Sequence, residues 1–223
     1  MDNTTDQAPG SHHPSPNHPA PSPLPPAAPL GIGALLGAAA RAADPVVRGL
    51  RDEGLDDPTP CDLFTVRDLL NHLFQVVVNF RALAAKETPD FSTTPDYVGT
   101  HGPDWRDRFT DETARLAQAW SAPRAEEGTS GAMGLPARTV GSLALIDLTV
   151  HAWDLARASG QPFTPDEHAV RELVGLVREM APMGRENGVF GEPYPVPPGA
   201  SEFATLLALT GRDPRTSTPT PRP

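Results

Sequence analysis

A chain of 223 residues is long enough for one domain with a real core, or for one domain with tails. Its net charge of −10, from 18 basic and 28 acidic residues, argues against a general phosphate-backbone binder and against a polybasic membrane anchor, both of which need clustered Lys and Arg. A single cysteine, Cys61, excludes an intrachain disulfide and a thiolate zinc cluster, so any metal must rest mainly on His, Asp and Glu.

Residues 1–28 are rich in Pro, Ser, His and Asn and cannot bury enough apolar area to offset ordering entropy, so a disordered tail is expected. His12, His13 and His18 fall in that tail and read as solvated polar residues. The apolar run Leu30 to Ala40 has no basic segment before it and is too short to span a bilayer, so neither a signal peptide nor a membrane helix is expected. Cytoplasm is the expected compartment.

The first helix is predicted over 31–52, with Ile32, Leu35, Leu36, Ala39, Val46, Val47 and Leu50 on one face and a kink or restart at Pro45. Segment 65–86 reads as a second helix. Thr65 is its cap, Asp68 completes a capping box, and the apolar stripe runs from Val66 through Leu69, Leu73 and Val76 to Phe80. Residues 87–103 read as a loop. Segment 104–121 carries Trp105, Phe109, Leu116 and Trp120 at helical spacing. Segment 141–158 is apolar nearly all round and should be the most buried helix, stopped by Gly160. Thr164-Pro165-Asp166-Glu167 reads as a helix start, with Thr164 as cap and Pro165 at the first position, leading a helix to about Met183. Residues 187–200 form an extended, proline-rich loop, and Ser201 to Leu209 a short last helix. The residues after 214 read as a second disordered tail. No stretch alternates apolar and polar residues over any length. The pattern predicts an all-α four-helix bundle over 29–214, with additional C-terminal helices.

Three residues on two of these helices invite chemistry. His72 sits at the edge of the apolar stripe of its helix, beside Leu69 and Val76. Asp147 and His151 are four apart and share one face of the most apolar helix. A carboxylate there costs several kcal/mol unless something compensates it. An Asp–His hydrogen bond would do so. So would a divalent metal held by His72, Asp147 and His151, a donor set that suits zinc, iron, manganese or nickel. Spacing alone leaves the two open. Asp154, one turn beyond His151, is placed to hold an imidazole from behind or to pair with Arg157 or Arg67. Arg67, near His72 in sequence, is a candidate contact for a substrate carboxylate. Cys61 has no local base and reads as a small buried hydrophobe. His101 and His168 read as surface residues.

The stretches Pro58-Thr59-Pro60-Cys61, Thr65-Val66-Arg67-Asp68-Leu69-Leu70-Asn71-His72-Leu73 and Asp147-Leu148-Thr149-Val150-His151-Ala152-Trp153-Asp154 resemble the metal-binding domain of mycothiol-dependent maleylpyruvate isomerase, of the DinB-like superfamily. Leu206-Leu207-Ala208-Leu209-Thr210-Gly211-Arg212-Asp213-Pro214 is similar to the tail of a short subfamily. The resemblance implies an up-and-down four-helix bundle and a divalent metal on His72, Asp147 and His151. It further implies a mycothiol-type low-molecular-weight thiol as cofactor and a small electrophile as substrate, with no nucleic acid or membrane partner. The chain departs from the isomerase in two places. Asp62-Leu63-Phe64 stands where Pro-Gly-Trp is usual, and Asp147 stands where the isomerase has Glu. The implied activity is a metal- and thiol-dependent transferase or isomerase; the alternative is a non-catalytic metal- or partner-binding protein of the same fold.

Overall fold

In a computed structural model of the chain, Met1 and residues 29–61, 64–132 and 134–215 are described. The expected tails, 2–28 and 216–223, lie outside the described residues, as do Asp62 and Leu63. Among the described residues there are seven α-helices: α1 (Ile32–Gly49), α2 (Val66–Ala84), α3 (Tyr97–His101), α4 (Trp105–Trp120), α5 (Ala137–Ser159), α6 (Glu167–Glu186) and α7 (Glu202–Leu209). The only strands among them are β1 (Thr129–Ser130) and β2 (Leu135–Pro136), an antiparallel pair too short for hydropathy to reveal. No helix among the described residues is long and apolar enough to cross a membrane. The expected all-α bundle is present.

The bundle proper is α1, α2, α4 and α5, with α1 and α2 each packed on both α4 and α5. Its directions follow from which ends meet. Arg48 at the end of α1 reaches Asp107 at the start of α4, so these two run antiparallel. Phe74 packs on Phe109 and the Phe80 carbonyl accepts from the Trp120 indole, so α2 and α4 run parallel. Gly141 abuts Ile32, and Gln161 bonds the Val46 carbonyl, so α5 runs with α1. The order is therefore up-down-down-up, which corrects the implied up-and-down order: α2 and α4 run parallel because the linker returns along α2 before α4 begins.

The linker between α2 and α4 explains the parallel step. Asn79, Gln75 and Asn71 form a stripe of amides one helical turn apart on α2. Asn79 donates to the Asp90 carbonyl at 2.9 Å, Gln75 to the Thr93 carbonyl at 2.7 Å, and Asn71 to the Asp96 carboxylate at 3.2 Å. The linker thus runs back along α2, and α4 restarts from the end where α2 began. The short α3 forms in this return, with Val98 donating to the Asn71 carbonyl oxygen.

Local signals and tertiary packing compete at several helix ends. The Thr65–Asp68 capping box forms as expected. Pro45 does not interrupt α1. A proline inside a helix costs about 3 kcal/mol, but Ala43, Val46 and Val47 are buried on either side of it and Asp44 bonds Arg48 and Thr110, so the turn is held by its neighbours. Helix α5 begins at Ala137, earlier than expected, because Ala137 and Val140 are already buried. The cap of α6 is Asp166, whose carboxylate accepts from the Ala169 amide, and not Thr164. A carboxylate satisfies the helix N-terminus by charge as well as by hydrogen bonding. Gly160 stops α5 with φ of 70°, and Ser201 caps α7.

Gly141 of α5 lies close against both α1 and α4. A Cβ there would lie 2.6 Å from Ile32 and 3.0 Å from the Trp120 ring. On exposed Gly175 of α6 it would meet nothing within 4 Å. Overpacking costs about 1–3 kcal/mol and alanine gains about 1 kcal/mol over glycine in a helix. Urea unfolding is therefore expected to show Gly141→Ala destabilised by about 1–2 kcal/mol and Gly175→Ala stabilised by about 0.5–1 kcal/mol. Equal shifts of one sign would mean that α1, α4 and α5 do not meet so closely.

Candidate metal centre

Because α2 runs antiparallel to α5, His72 comes level with Asp147 and His151. His72 Nε2 lies 3.7 Å and His151 Nε2 3.6 Å from the same Asp147 oxygen, Oδ1. The two imidazoles meet edge to face at 5.2 Å. One donor atom from each of the three residues lies within 4.8 Å of the others. Donors about 2.1 Å from a tetrahedrally coordinated cation are about 3.4 Å apart, close to the two separations seen. The set is nitrogen, oxygen, nitrogen, and His72 and Asp147 remain about a quarter exposed, so the group is open on one side.

Behind His151 the arrangement is fully buried. His151 Nδ1 lies 2.8 Å from Asp154 Oδ2, and the Asp154 side chain has no solvent exposure. A carboxylate only accepts, so the proton sits on Nδ1 and the Nε2 lone pair is left facing Asp147. Arg212 donates to the same carboxylate at 2.9 Å from Nη2 and 3.4 Å from Nε, and its Nη1 donates to the Thr210 carbonyl at 2.8 Å. Burial pushes the Asp154 carboxyl up, but the His151 hydrogen bond and the Arg212 charge outweigh it and hold Asp154 below the ordinary carboxylate value. Burial likewise opposes the Arg212 charge, and Asp154 overcomes it, so the guanidinium is held above its ordinary value.

Phe64 closes the other side of His72, its ring stacked at 5.6 Å and 14°. Cys61 is half-buried and lies within reach of His151 and Asp154, all three offering donor atoms within 4.8 Å. The expectation of an isolated hydrophobe there is corrected: the base lies far along the chain, on α5, where local sequence cannot show it. As a ligand set this second group is poorer. His151 and Asp154 already bond each other, and a dication on Asp154 would face the Arg212 guanidinium.

Arg67 is not brought to this cluster. Its Nε lies 3.7 Å from Asp56 Oδ1 at the surface. Arg157 lies over the Trp153 ring, 5.7 Å away, and the cation beside Asp154 is Arg212. Arg212 and Phe64 are the site residues that sequence reasoning missed. The available signal was the demand itself, since a carboxylate in so apolar a helix requires a cation. His168 is exposed, whereas His101 is half-buried and packs on Phe74 at 5.5 Å and on Tyr97.

Residues 36–156 match the mycothiol maleylpyruvate isomerase N-terminal domain family. The match takes in His72, Asp147, His151 and Asp154 and stops short of Arg212. The chain is also similar to an uncharacterized protein of Mycobacterium tuberculosis strain CDC 1551 / Oshkosh and to one of strain ATCC 25618 / H37Rv. Each is 30% identical over 177 residues, which is 75% of this chain and 91% of the relative. No solved structure matches the chain.

Replacing Arg212 by methionine strands the Asp154 charge. Breaking a buried pair on one side costs about 3–5 kcal/mol, to be read as lost unfolding free energy at pH 7. Asp154 is depressed in the folded protein, so its pairing contributes above the ordinary carboxyl value and is lost as pH falls through the folded one. The gap between Arg212→Met and wild type should therefore narrow in acid, and Asp154→Leu added to Arg212→Met should recover part of it. A variant as stable as wild type at pH 7 would mean that Asp154 is compensated elsewhere.

Proposed function

From the premise that this chain belongs to the mycothiol maleylpyruvate isomerase N-terminal domain family, we propose that it binds a divalent metal through His72, Asp147 and His151 and uses a mycothiol-type small thiol to transfer sulfur to, or isomerise, a small electrophile. The observation that carries the reading is the convergence of two imidazole Nε2 atoms, from two helices, on one Asp147 oxygen. Zinc suits this donor set best, and nickel, manganese and iron are compatible with it. Three protein ligands leave positions for exogenous groups, where a closed structural zinc site has four.

Bound there, the cation supplies Lewis acidity that holds a thiol as its thiolate near neutral pH. The chain's own residues do the rest. Asp154 keeps the proton on His151 Nδ1, which presents the Nε2 lone pair to the open side. Arg212 keeps Asp154 ionised and bonded. Phe64 stacks on one face of His72, and the ring's Nε2 edge lies toward Asp147. In a transfer, the thiol loses its proton and its sulfur forms the new bond to carbon as the leaving group departs with the bonding pair. In an isomerisation, sulfur adds to an activated alkene and is expelled after rotation about the former double bond.

Elemental analysis of purified, untagged protein tests the reading first. About one metal equivalent is expected in the wild type and none in His72→Ala or His151→Ala. Asp154→Asn is expected to weaken metal affinity roughly 10–100-fold while keeping the three ligands. Thiol-dependent loss of an electrophile should disappear with the metal. Metal bound and lost as expected, with no thiol chemistry across a broad electrophile screen, would turn the reading to a non-catalytic metal-binding protein. No metal after incubation with zinc, nickel and manganese would end it.

A further inference from the structure

The helix pair that carries the three candidate ligands also borders a cavity. On α5, Val140, Leu143 and Asp147 recur at three- and four-residue spacing on one face, and on α2, His72, Val76, Phe80 and Leu83 do the same. One turn before Asp147 on α5, and two turns after His72 on α2, the two helices border a cavity of about 310 Å³. Phe80 and Leu83 of α2 and Val140 and Leu143 of α5 line it, and Phe91 of the return linker and Leu135 of the hairpin close it. At a rise of 1.5 Å per residue, Leu143 lies about 6 Å along its helix from Asp147, and Phe80 about 12 Å from His72.

Among the described residues the walls carry no charged side chain. The only hydroxyls among them are those of Ser130 and Thr88, and Ser130 is committed, donating to the Leu83 carbonyl at 2.6 Å. That bond also pins the hairpin over the end of α2. Phe91 is about half exposed, 49%, and packs T-shaped with Phe80 at 5.9 Å, an aromatic that both lines the cavity and meets solvent. A cavity of this volume is at the lower end of small-ligand sites. It holds roughly ten carbon atoms at about 30 Å³ each. Apart from the Thr88 hydroxyl, a polar head would find no free side-chain partner among the described wall residues.

We propose that this cavity is a binding site for the apolar part, alkyl or aryl and up to about ten carbons, of the electrophile whose reactive end lies at His72, Asp147 and His151. The assignment rests on the thiol-transfer reading for the identity of the head, and on the cavity alone for the tail. The substrate class is then an amphiphile: an electrophilic carbon about 6–12 Å from an apolar tail. The cavity selects by tail length and the polar cluster by head chemistry.

The test is calorimetric titration of the full chain with straight-chain 1-alkanols from butanol to decanol, which carry a tail and no electrophile. Affinity is expected to rise roughly fourfold per added methylene, the equivalent of complete burial, until the cavity is full. Leu143→Asn, on a half-buried position, should flatten the series. Ala132→Trp, in the exposed hairpin turn, should do so by filling the cavity and serves where Leu143→Asn does not fold. His151→Ala should leave the series unchanged. A flat series in the wild type, or a gradient that survives both cavity variants, overturns the assignment even if thiol turnover is found. An intact gradient without thiol turnover overturns the transfer reading and leaves the apolar site standing. With turnover, KM for electrophiles of increasing tail length should fall in parallel with the alkanol series in the wild type and not in Leu143→Asn.

Discussion

A carboxylate with no solvent exposure, Asp154, sits in the most buried helix of the bundle, and much of the site's arrangement follows from what compensates it. Leaving such a charge unpaired costs several kcal/mol, more than most single contacts in a domain contribute. Two groups answer it: the Nδ1–H of His151 from the same helix, and the guanidinium of Arg212 from the chain that follows α7. The first fixes the tautomer and orientation of an imidazole. The second ties the C-terminal segment to the bundle. Orientation of the candidate ligand and attachment of the C-terminal segment are therefore one electrostatic problem with one solution.

The same constraint gives the C-terminal additions a purpose beyond covering apolar surface. Helices α6 and α7 pack on each other and α6 on α1 and α5, which brings residues 210–212 back to the buried end of the cluster. Gly211 takes a φ of 83° where its Cβ would lie 2.6 Å from the Gly191 backbone. The proline-rich loop and the segment carrying Arg212 can touch because the residue at 211 is glycine, with no Cβ to meet Gly191. Tyr194 adds a backbone bond to the Ala208 carbonyl at 3.1 Å. The loop that reads as extended and proline-rich in the sequence is part of the frame that delivers the arginine.

On the open side, direction decides. An up-down-down-up order sets α2 antiparallel to α5, so the start of α2 lies beside the middle and end of α5. His72 then meets Asp147 and His151, and Phe80 and Leu83 meet Leu143 and Val140. A polar cluster and an apolar cavity lie along the same pair of helices as a result. The return linker, held by Asn71, Gln75 and Asn79, makes that order possible and also supplies Phe91 to the cavity mouth.

Much of this was legible from residue order. Helical periodicity with Thr65, Asp68, Gly160 and Ser201 as punctuation determined that the chain is an all-α bundle, because caps and amphipathic stripes act within a few residues of themselves. Asp147 and His151 on one face, Asp154 a turn on, and His72 at the edge of its own helix's stripe follow from helix geometry, and the resemblance of two short motifs pointed to a metal on His72, Asp147 and His151. The errors were also local in kind: Pro45 and the early turn of α5 obey burial rather than propensity, and Asp166 outcompetes Thr164 as a cap. The tertiary structure alone decided the partners of the buried charges, the place of Cys61 beside His151, the exclusion of Arg67 from the cluster and the parallel run of α2 and α4. Ion pairing and cavity shape depend on distances between residues far apart in the chain, such as Asp154 and Arg212, and no spacing rule in a single sequence carries those distances.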